Sequence, residues 1–134
     1  MSTPFGPRLI GETEKTLNAV LRRLLDGTGL TEPQWVTLRL AEQLDGTVDA
    51  DDLAAAVADR AHFADAADLV ATLTGRGLLA GGRLTPAGRE LTTAVQASIT
   101  ARTAPIWDGL PADDLAAAGR VLNEVVARAR LALR

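Results

Sequence analysis

The side chains that suggest acid–base chemistry in this chain are two pairs of adjacent aspartates, Asp51–Asp52 and Asp113–Asp114. Each pair follows a predicted helix start, and adjacent side chains on a helix point apart, so helix capping explains the pairs better than catalysis does. The chain has no cysteine, which excludes thiolate chemistry, and its one histidine argues against a multi-histidine metal site. No Ser-His-Asp set or glycine-rich phosphate loop is present. We therefore predict that the protein is not an enzyme and uses no metal or cofactor.

A few polar residues in the middle of the chain could contact a phosphate or a base edge of nucleic acid. Arg60 and His62 precede a predicted helix over 63–76 and could contact nucleic acid there, or they could form a solvated turn in which His62 caps a helix. Asp65 could accept a hydrogen bond from a cytosine amino group, or it could be only a charge partner for the helix start. Arg76 could contact DNA or only complement the dipole at the helix end.

The spacing of apolar and capping residues predicts the elements that must position these side chains. Apolar residues recur at three- and four-residue steps, which is typical of amphipathic helices. Helix starts are indicated by Thr31 with Gln34, which have capping-box spacing, by Asp49, and by Thr85 followed by Pro86. The predicted elements are helices over 8–26, 31–44, 49–59, 63–76, 85–103 and 111–134, and strands over 78–79 and 83–84.

Glycine, proline and the residues around them predict where these elements end. Gly46 breaks the second helix, Val48 packs onto the helix that follows it, and Gly77 ends the fourth helix in a left-handed conformation. Residues 105–109 interrupt the fifth helix at a proline. The short third and fourth helices, joined by a predicted turn over 59–62, have the pattern of a helix-turn-helix whose second helix reads DNA.

Three local motifs make the chain resemble the MarR family of bacterial transcriptional regulators. They are Leu30-Thr31-x-x-Gln34-Trp35-x-x-Leu38, Arg76-Gly77-Leu78-Leu79 and Leu84-Thr85-Pro86-Ala87-Gly88-Arg89-Glu90-Leu91. The similarity covers about residues 8–132 in element order and spacing. It implies a single MarR-like domain over 1–134, mostly α-helical with a minimal two-stranded β wing. In that domain 30–91 form the winged helix-turn-helix lobe, and 8–29 with 92–134 form a helical dimerisation lobe.

The resemblance also implies a function and a set of partners. The family's homodimers bind a palindromic operator in double-stranded DNA, and many members release it when a small aromatic or hydrophobic ligand binds between the lobes. The candidate DNA contacts are Arg60, His62, Asp65, Thr72, Arg76 and Arg83. The candidate ligand contacts are Trp35, Arg39 and Trp107, although either tryptophan could instead belong to the core or to the dimer interface.

Three features of the lobe over 30–91 depart from the family's pattern. They are its wing, its DNA-reading helix over 63–76 and its net charge. Only four residues, 80–83, separate the two wing strands, and Arg83 is the only candidate to replace the arginine that the family's longer wing inserts in the minor groove. Asp65 and Asp68 stand where small polar or basic residues are common. Residues 31–90 carry five arginines against ten carboxylates, a net charge of −5, whereas phosphate binding needs cations. These departures leave open an alternative function, a MarR-fold dimer that has lost DNA reading and binds a small molecule or a protein partner.

Length and composition agree with one mainly helical domain. The chain has 134 residues, of which 47% are hydrophobic, and alanine and leucine dominate them. The start of the chain lacks a basic segment followed by an apolar run, and no apolar run approaches the ~20 residues that cross a bilayer. We therefore expect a cytoplasmic protein with no membrane partner. The first and last predicted helices carry more apolar surface than one small lobe should expose, which predicts a dimer.

Overall fold

The computed structural model describes residues 2–45, 47 and 49–134. Its elements are α1 (Pro7–Leu24), α2 (Glu32–Gln43), α3 (Ala50–Ala61), α4 (Ala66–Gly75), β1 (Leu79–Ala80), β2 (Arg83–Leu84), α5 (Pro86–Trp107) and α6 (Ala112–Ala132). The predicted class, mainly α-helical with a minimal two-stranded wing, is confirmed. The predicted break at Gly46 and the predicted packing of Val48 lie outside the described residues. Contacts along the chain divide it into two compact units, Met1–Ala101 and Arg102–Arg134.

Side-chain caps fix the starts of α2 and α3, as the sequence predicts. Thr31 Oγ1 accepts a hydrogen bond from the backbone N–H of Gln34 at 3.3 Å, and Gln34 Oε1 accepts one from the N–H of Thr31 at 3.0 Å. Asp49 Oδ1 accepts from the N–H of Asp52 at 2.9 Å. These bonds satisfy N–H groups that the first helical turn leaves unpaired, so each helix begins where its cap stands.

The turn between α3 and α4 lies three residues later than the predicted turn over 59–62. Helix α3 continues to Ala61, and α4 begins at Ala66 instead of at residue 63. Residues 59–61 contain neither glycine nor proline, so nothing in them stops the helix. His62 ends α3 because its φ of 59° and ψ of 31° lie in the left-handed region, where the chain leaves the helical path.

The end of α4 and the hairpin after it form one compact unit. Gly77 has a φ of 76°, as predicted, and the N–H groups of Gly77 and Leu78 donate to the carbonyls of Thr74 and Leu73, both at 3.0 Å. Because Leu78 completes this helix-end motif, the first strand begins at Leu79, one residue later than predicted.

The hairpin pairs Leu79 with Leu84 and Ala80 with Arg83 in an antiparallel register. Its two-residue loop, Gly81–Gly82, has positive φ at both positions, which is the geometry that suits a tight hairpin.

Helix α5 runs through Pro105 to Trp107, so the prediction that residues 105–109 interrupt it near 103 is wrong. A proline in the last turn removes a single hydrogen bond, and the N–H of Asp108 still donates to the carbonyl of Ala104 at 2.8 Å. Gly109, with a φ of 84°, then turns the chain away. At the other end Thr85 caps the helix as predicted, because its Oγ1 accepts from the N–H of Gly88 at 3.0 Å.

The core of the first unit lies among α2, α3, α4 and the hairpin. Its fully buried aliphatic side chains are Leu38, Leu53, Val57, Leu73 and Leu79. Gly88 is also buried, and a Cβ added there would lie 2.1 Å from the carbonyl oxygen of Leu78. Only glycine therefore lets α5 pass this close to the chain that enters the wing, which explains a glycine inside a helix.

Helix α6 buries none of its residues. Its large apolar side chains are all at least 40% exposed, and they are Leu115, Val121, Leu122, Val125, Val126 and Leu131. The paired aspartates lie in first turns, Asp113–Asp114 in α6 and Asp51–Asp52 in α3, where carboxylates favour a helix start. No helix in the described part of the chain is long and apolar enough to span a membrane.

Candidate nucleic-acid interface

Helix α4 buries one side and exposes the other. Leu69, Val70 and Leu73 anchor it in the core. Its exposed residues are small or acidic, and they are Ala67, Asp68, Ala71, Thr72, Thr74 and Gly75. All ten residues of α4 are described, and Asp68 is the only charged residue among them. The candidate Thr72 lies one turn beyond Asp68 on this exposed side.

Three candidate DNA contacts lie around the turn that leads into α4, and all three are exposed. Arg60 is in the last turn of α3, and His62 follows in its left-handed conformation. Asp65 immediately precedes α4, but its side chain makes no capping hydrogen bond to the helix start. A side chain other than glycine costs roughly 1 kcal/mol in the left-handed region, and strain of this kind concentrates at functional sites. His62 caps α3, as the alternative to a DNA contact predicted, whereas its left-handed conformation was not predicted.

Arg76 follows α4, and its side chain is held by other parts of the same chain. Its Nη1 donates to the backbone carbonyl of Gly29 at 2.9 Å and lies 3.4 Å from Oε1 of Gln34. Gln34 uses the same oxygen in the capping box of α2. Arg76 therefore joins the end of α4 to the segment between α1 and α2, which neither of its two predicted roles anticipated.

The tip of the wing packs against the start of α3. A Cβ added to Gly82 would lie 2.5 Å from the carbonyl carbon and oxygen of Asp49 and 2.8 Å from the backbone nitrogen of Ala50. Gly82 is accordingly buried, whereas a Cβ added to its exposed neighbour Gly81 would meet no atom within 4 Å. Arg83, the candidate wing arginine, is exposed on β2 directly after this contact.

The three candidate ligand contacts have different surroundings. Trp35 is 5% exposed and belongs to the core of the first unit. The guanidinium of Arg39 lies 5.8 Å from the centre of the Trp35 ring, close enough for a cation–π contact, and it also pairs with Glu42. Trp107 lies in the last turn of α5, in the second unit, and is 49% exposed.

A groove of about 540 Å³ lies between the end of α1 and the start of α2. Its lining includes Arg22, Asp26, Leu30 and Glu32. None of the three candidate ligand contacts lines it. The sequence pattern did not predict this groove, because its residues come from the end of α1, the loop after it and the start of α2, and no spacing indicates that they enclose a groove. Among the described residues no group of His, Asp and Glu side chains is arranged to hold a metal ion.

Comparison with solved structures defines the class of the fold. The chain is similar to a MarR family protein from Bacillus stearothermophilus, with a TM-score of 0.60, 19% sequence identity, and coverage of 95% of this chain and 99% of that chain. No family model matches the chain, and no curated protein sequence matches it significantly. In the part of the chain that the structure describes, the order of six helices with a hairpin between α4 and α5 is that of a winged-helix fold. More particularly, the fold is MarR-like with a short wing, which confirms at the level of fold the resemblance carried by the three motifs.

Proposed function

We propose that this protein is a DNA-binding transcriptional regulator of the MarR type, in which α4 of each subunit of a homodimer enters the major groove of a palindromic operator. The observation that carries the proposal is the two-sided character of α4. Buried aliphatic side chains fix the helix in the core, and its opposite side is exposed and free of large side chains. A helix with small outward side chains can approach base edges closely. The MarR-like fold supports the choice of α4 as the reading helix.

Phosphate contacts come from residues beside α4. Arg60 and His62 flank the turn before the helix, and Arg83 lies on the wing strand after it. Arg76 is assigned to the intramolecular contact with Gly29 and not to DNA. Two arginines per subunit give four phosphate contacts in a dimer. The logarithm of the binding constant should then fall with the logarithm of the salt concentration with a slope of about −4, which is shallow for an operator-binding dimer.

The homodimer is proposed from the apolar surface of α6. A 21-residue helix with no buried residue and six large apolar side chains at least 40% exposed needs a partner surface. We assign that surface to a second copy of this chain, with 8–29 and 92–134 forming the dimerisation lobe and 30–91 the DNA-binding lobe. Such a regulator acts in the bacterial cytoplasm, where its operator is.

A mobility-shift titration tests DNA binding directly. The purified protein is titrated at low salt against duplex DNA taken from the region upstream of its own gene, with unrelated DNA as competitor. Ala71→Glu places a second carboxylate one turn after Asp68 and a long side chain where a methyl group stands, and it should abolish retardation, because it adds negative charge and keeps the helix away from the base edges. Ala87→Glu, at an exposed alanine in the first turn of α5 and outside the proposed dimerisation segments, is the matched control and should bind normally. No retardation of any fragment at micromolar dimer would refute the proposal.

A second function is favoured by the charge of the same surface. The side of α4 that should face DNA carries Asp68 and no basic residue, and the wing tip packs on Asp49. A dimer that has lost DNA reading would instead bind a small aromatic or hydrophobic molecule or a protein partner. A thermal-shift screen with aromatic acids separates the two functions. Stabilisation by a ligand together with no DNA affinity would support this second function, whereas salt-sensitive DNA binding would exclude it.

A further inference from the structure

Sequence-specific DNA reading depends on which hydrogen-bond donors and acceptors a helix carries into the groove. Guanine is read by Arg or Lys donating to O6 and N7, and adenine is read by paired hydrogen bonds from Asn or Gln. Helix α4 contains none of these four residue types, and all of its residues are described. This inference rests on the proposed function, in which α4 enters the major groove. In that position α4 has no Arg, Lys, Asn or Gln side chain with which to read guanine or adenine.

The neighbouring elements do not supply the missing donors to this helix. Arg76, the basic residue nearest the end of α4, is held by the carbonyl of Gly29 at 2.9 Å. The wing tip is held by close backbone contact between Gly82 and Asp49. Arg60, His62 and Arg83 are exposed, but the proposed function assigns them to phosphates. The bases in the major groove are then left to the exposed side of α4.

That exposed side carries one carboxylate, two threonine hydroxyls and a set of methyl groups. Asp68 is exposed, and its carboxylate makes no hydrogen bond or ion pair with any residue that the structure describes, so it can accept from a ligand. Ala71 and Thr72, one turn further along, present methyl groups. In the major groove the cytosine N4 amino group is the donor that a carboxylate accepts from, and the thymine C5 methyl is the apolar group that Ala and Thr contact.

The geometry points to a reading helix that recognises pyrimidine edges. Asp68 accepts a hydrogen bond from a cytosine amino group, and the methyl groups of Ala71 and Thr72 pack against thymine methyls in the same half-site. Specificity comes from these contacts, with no arginine–guanine pair, while phosphate contacts outside α4 supply the affinity that is independent of sequence.

Selection from a pool of random duplexes, using the full-length protein, tests the contact by Asp68. The wild type should enrich a two-fold repeat with a fixed cytosine and at least one thymine in each half-site. Asp68→Asn keeps the shape but adds a donor, so the fixed cytosine should change to adenine, with the preference altered by about tenfold. Asp26→Asn, which removes another exposed carboxylate, after α1 and outside α4, should select the wild-type sequence. An unchanged consensus for Asp68→Asn overturns the inference and leaves the proposed function intact.

Uracil substitution tests the methyl contacts independently of any variant. Replacing each fixed thymine of the selected site by uracil removes one methyl group from the groove. Wild-type binding should weaken by about fourfold for each contacted methyl, as expected for one buried apolar carbon. Equal affinity for the thymine and uracil duplexes overturns the methyl contacts. Failure of the wild type to enrich any duplex overturns both this inference and the proposed function.

Discussion

The contact between the wing tip and α3 predicts that alanine lowers the stability by different amounts at two adjacent glycines. Gly81 and Gly82 have φ of 59° and 82°, so alanine at either position adopts a left-handed conformation. That conformation costs about 1 kcal/mol. Only at Gly82 does the added Cβ also meet backbone, 2.5 Å from the carbonyl carbon and oxygen of Asp49, whereas ordinary contact begins at 3.4 Å. Gly81→Ala is therefore the matched control for Gly82→Ala.

The difference in unfolding free energy between the two variants follows from the shift of backbone that the added Cβ at Gly82 requires. Relief of the overlap at Gly82 requires a shift of about 0.9 Å between the wing tip and the backbone of Asp49. Overpacking of this kind costs about 1–3 kcal/mol, and displacing Asp49 also weakens its cap on the N–H of Asp52. We expect Gly81→Ala to lower the free energy of unfolding by about 1 kcal/mol and Gly82→Ala to lower it by about 3 kcal/mol.

Urea unfolding followed by circular dichroism at 222 nm measures both changes. The protein concentration must be equal in all samples, because the proposed dimerisation would make apparent stability depend on concentration. A difference of about 2 kcal/mol between the two variants supports the packing of the wing on α3. Equal losses for the two alanines would contradict it and would mean that the wing tip is free.

Three further predictions concern the core, the phosphates and the dimer. Gly88→Ala should lower the free energy of unfolding by about 3 kcal/mol, because its Cβ would lie 2.1 Å from the carbonyl oxygen of Leu78. Gly11→Ala is the control and should raise the free energy of unfolding by about 0.8 kcal/mol, because its Cβ would meet no atom within 4 Å. A similar result for both variants would refute the close approach of α5 to Leu78. Arg60→Ala should change the salt slope of operator binding from about −4 to about −2, since a dimer loses two phosphate contacts; an unchanged slope in anisotropy titrations would remove Arg60 from the interface. Val125→Asp should give a monomer in sedimentation equilibrium and Asn123→Asp should leave a dimer, because only the first places a charge on the apolar stripe of α6; a wild-type monomer at micromolar concentration would refute the dimer itself.

Helix starts and glycine stops are predictable from the sequence because their causes are local. Thr31, Asp49 and Thr85 each cap a helix through an N–H within three residues, and Gly77 needs only its own positive φ. The sequence carries these signals within four or five neighbouring positions, where spacing alone decides which groups meet. The order of elements then follows, and with it the MarR-like fold.

The errors concern two local exceptions, and the omissions concern contacts between distant parts of the chain. The α3–α4 turn lies later than predicted because α3 continues to a left-handed His62, and a positive φ is uncommon at a residue other than glycine. The predicted break at Pro105 is wrong because α5 continues for two residues past the proline and ends at Trp107. Arg76 and Gly82 make their contacts with Gly29 and Asp49, which lie more than 30 residues away in sequence. No local pattern could indicate those contacts.

The most direct test of sequence-specific DNA binding uses fragments of the protein's own genome. The purified protein binds the fragments, and the bound fraction is sequenced. We expect a few strongly enriched sites, each a two-fold repeat whose half-sites are spaced for successive major grooves on one side of the duplex. Enrichment should be lost with Ala71→Glu and retained with Ala87→Glu. If each fragment is as abundant in the bound fraction as in the input, at low salt and micromolar dimer, the result would contradict a DNA-reading function for this protein.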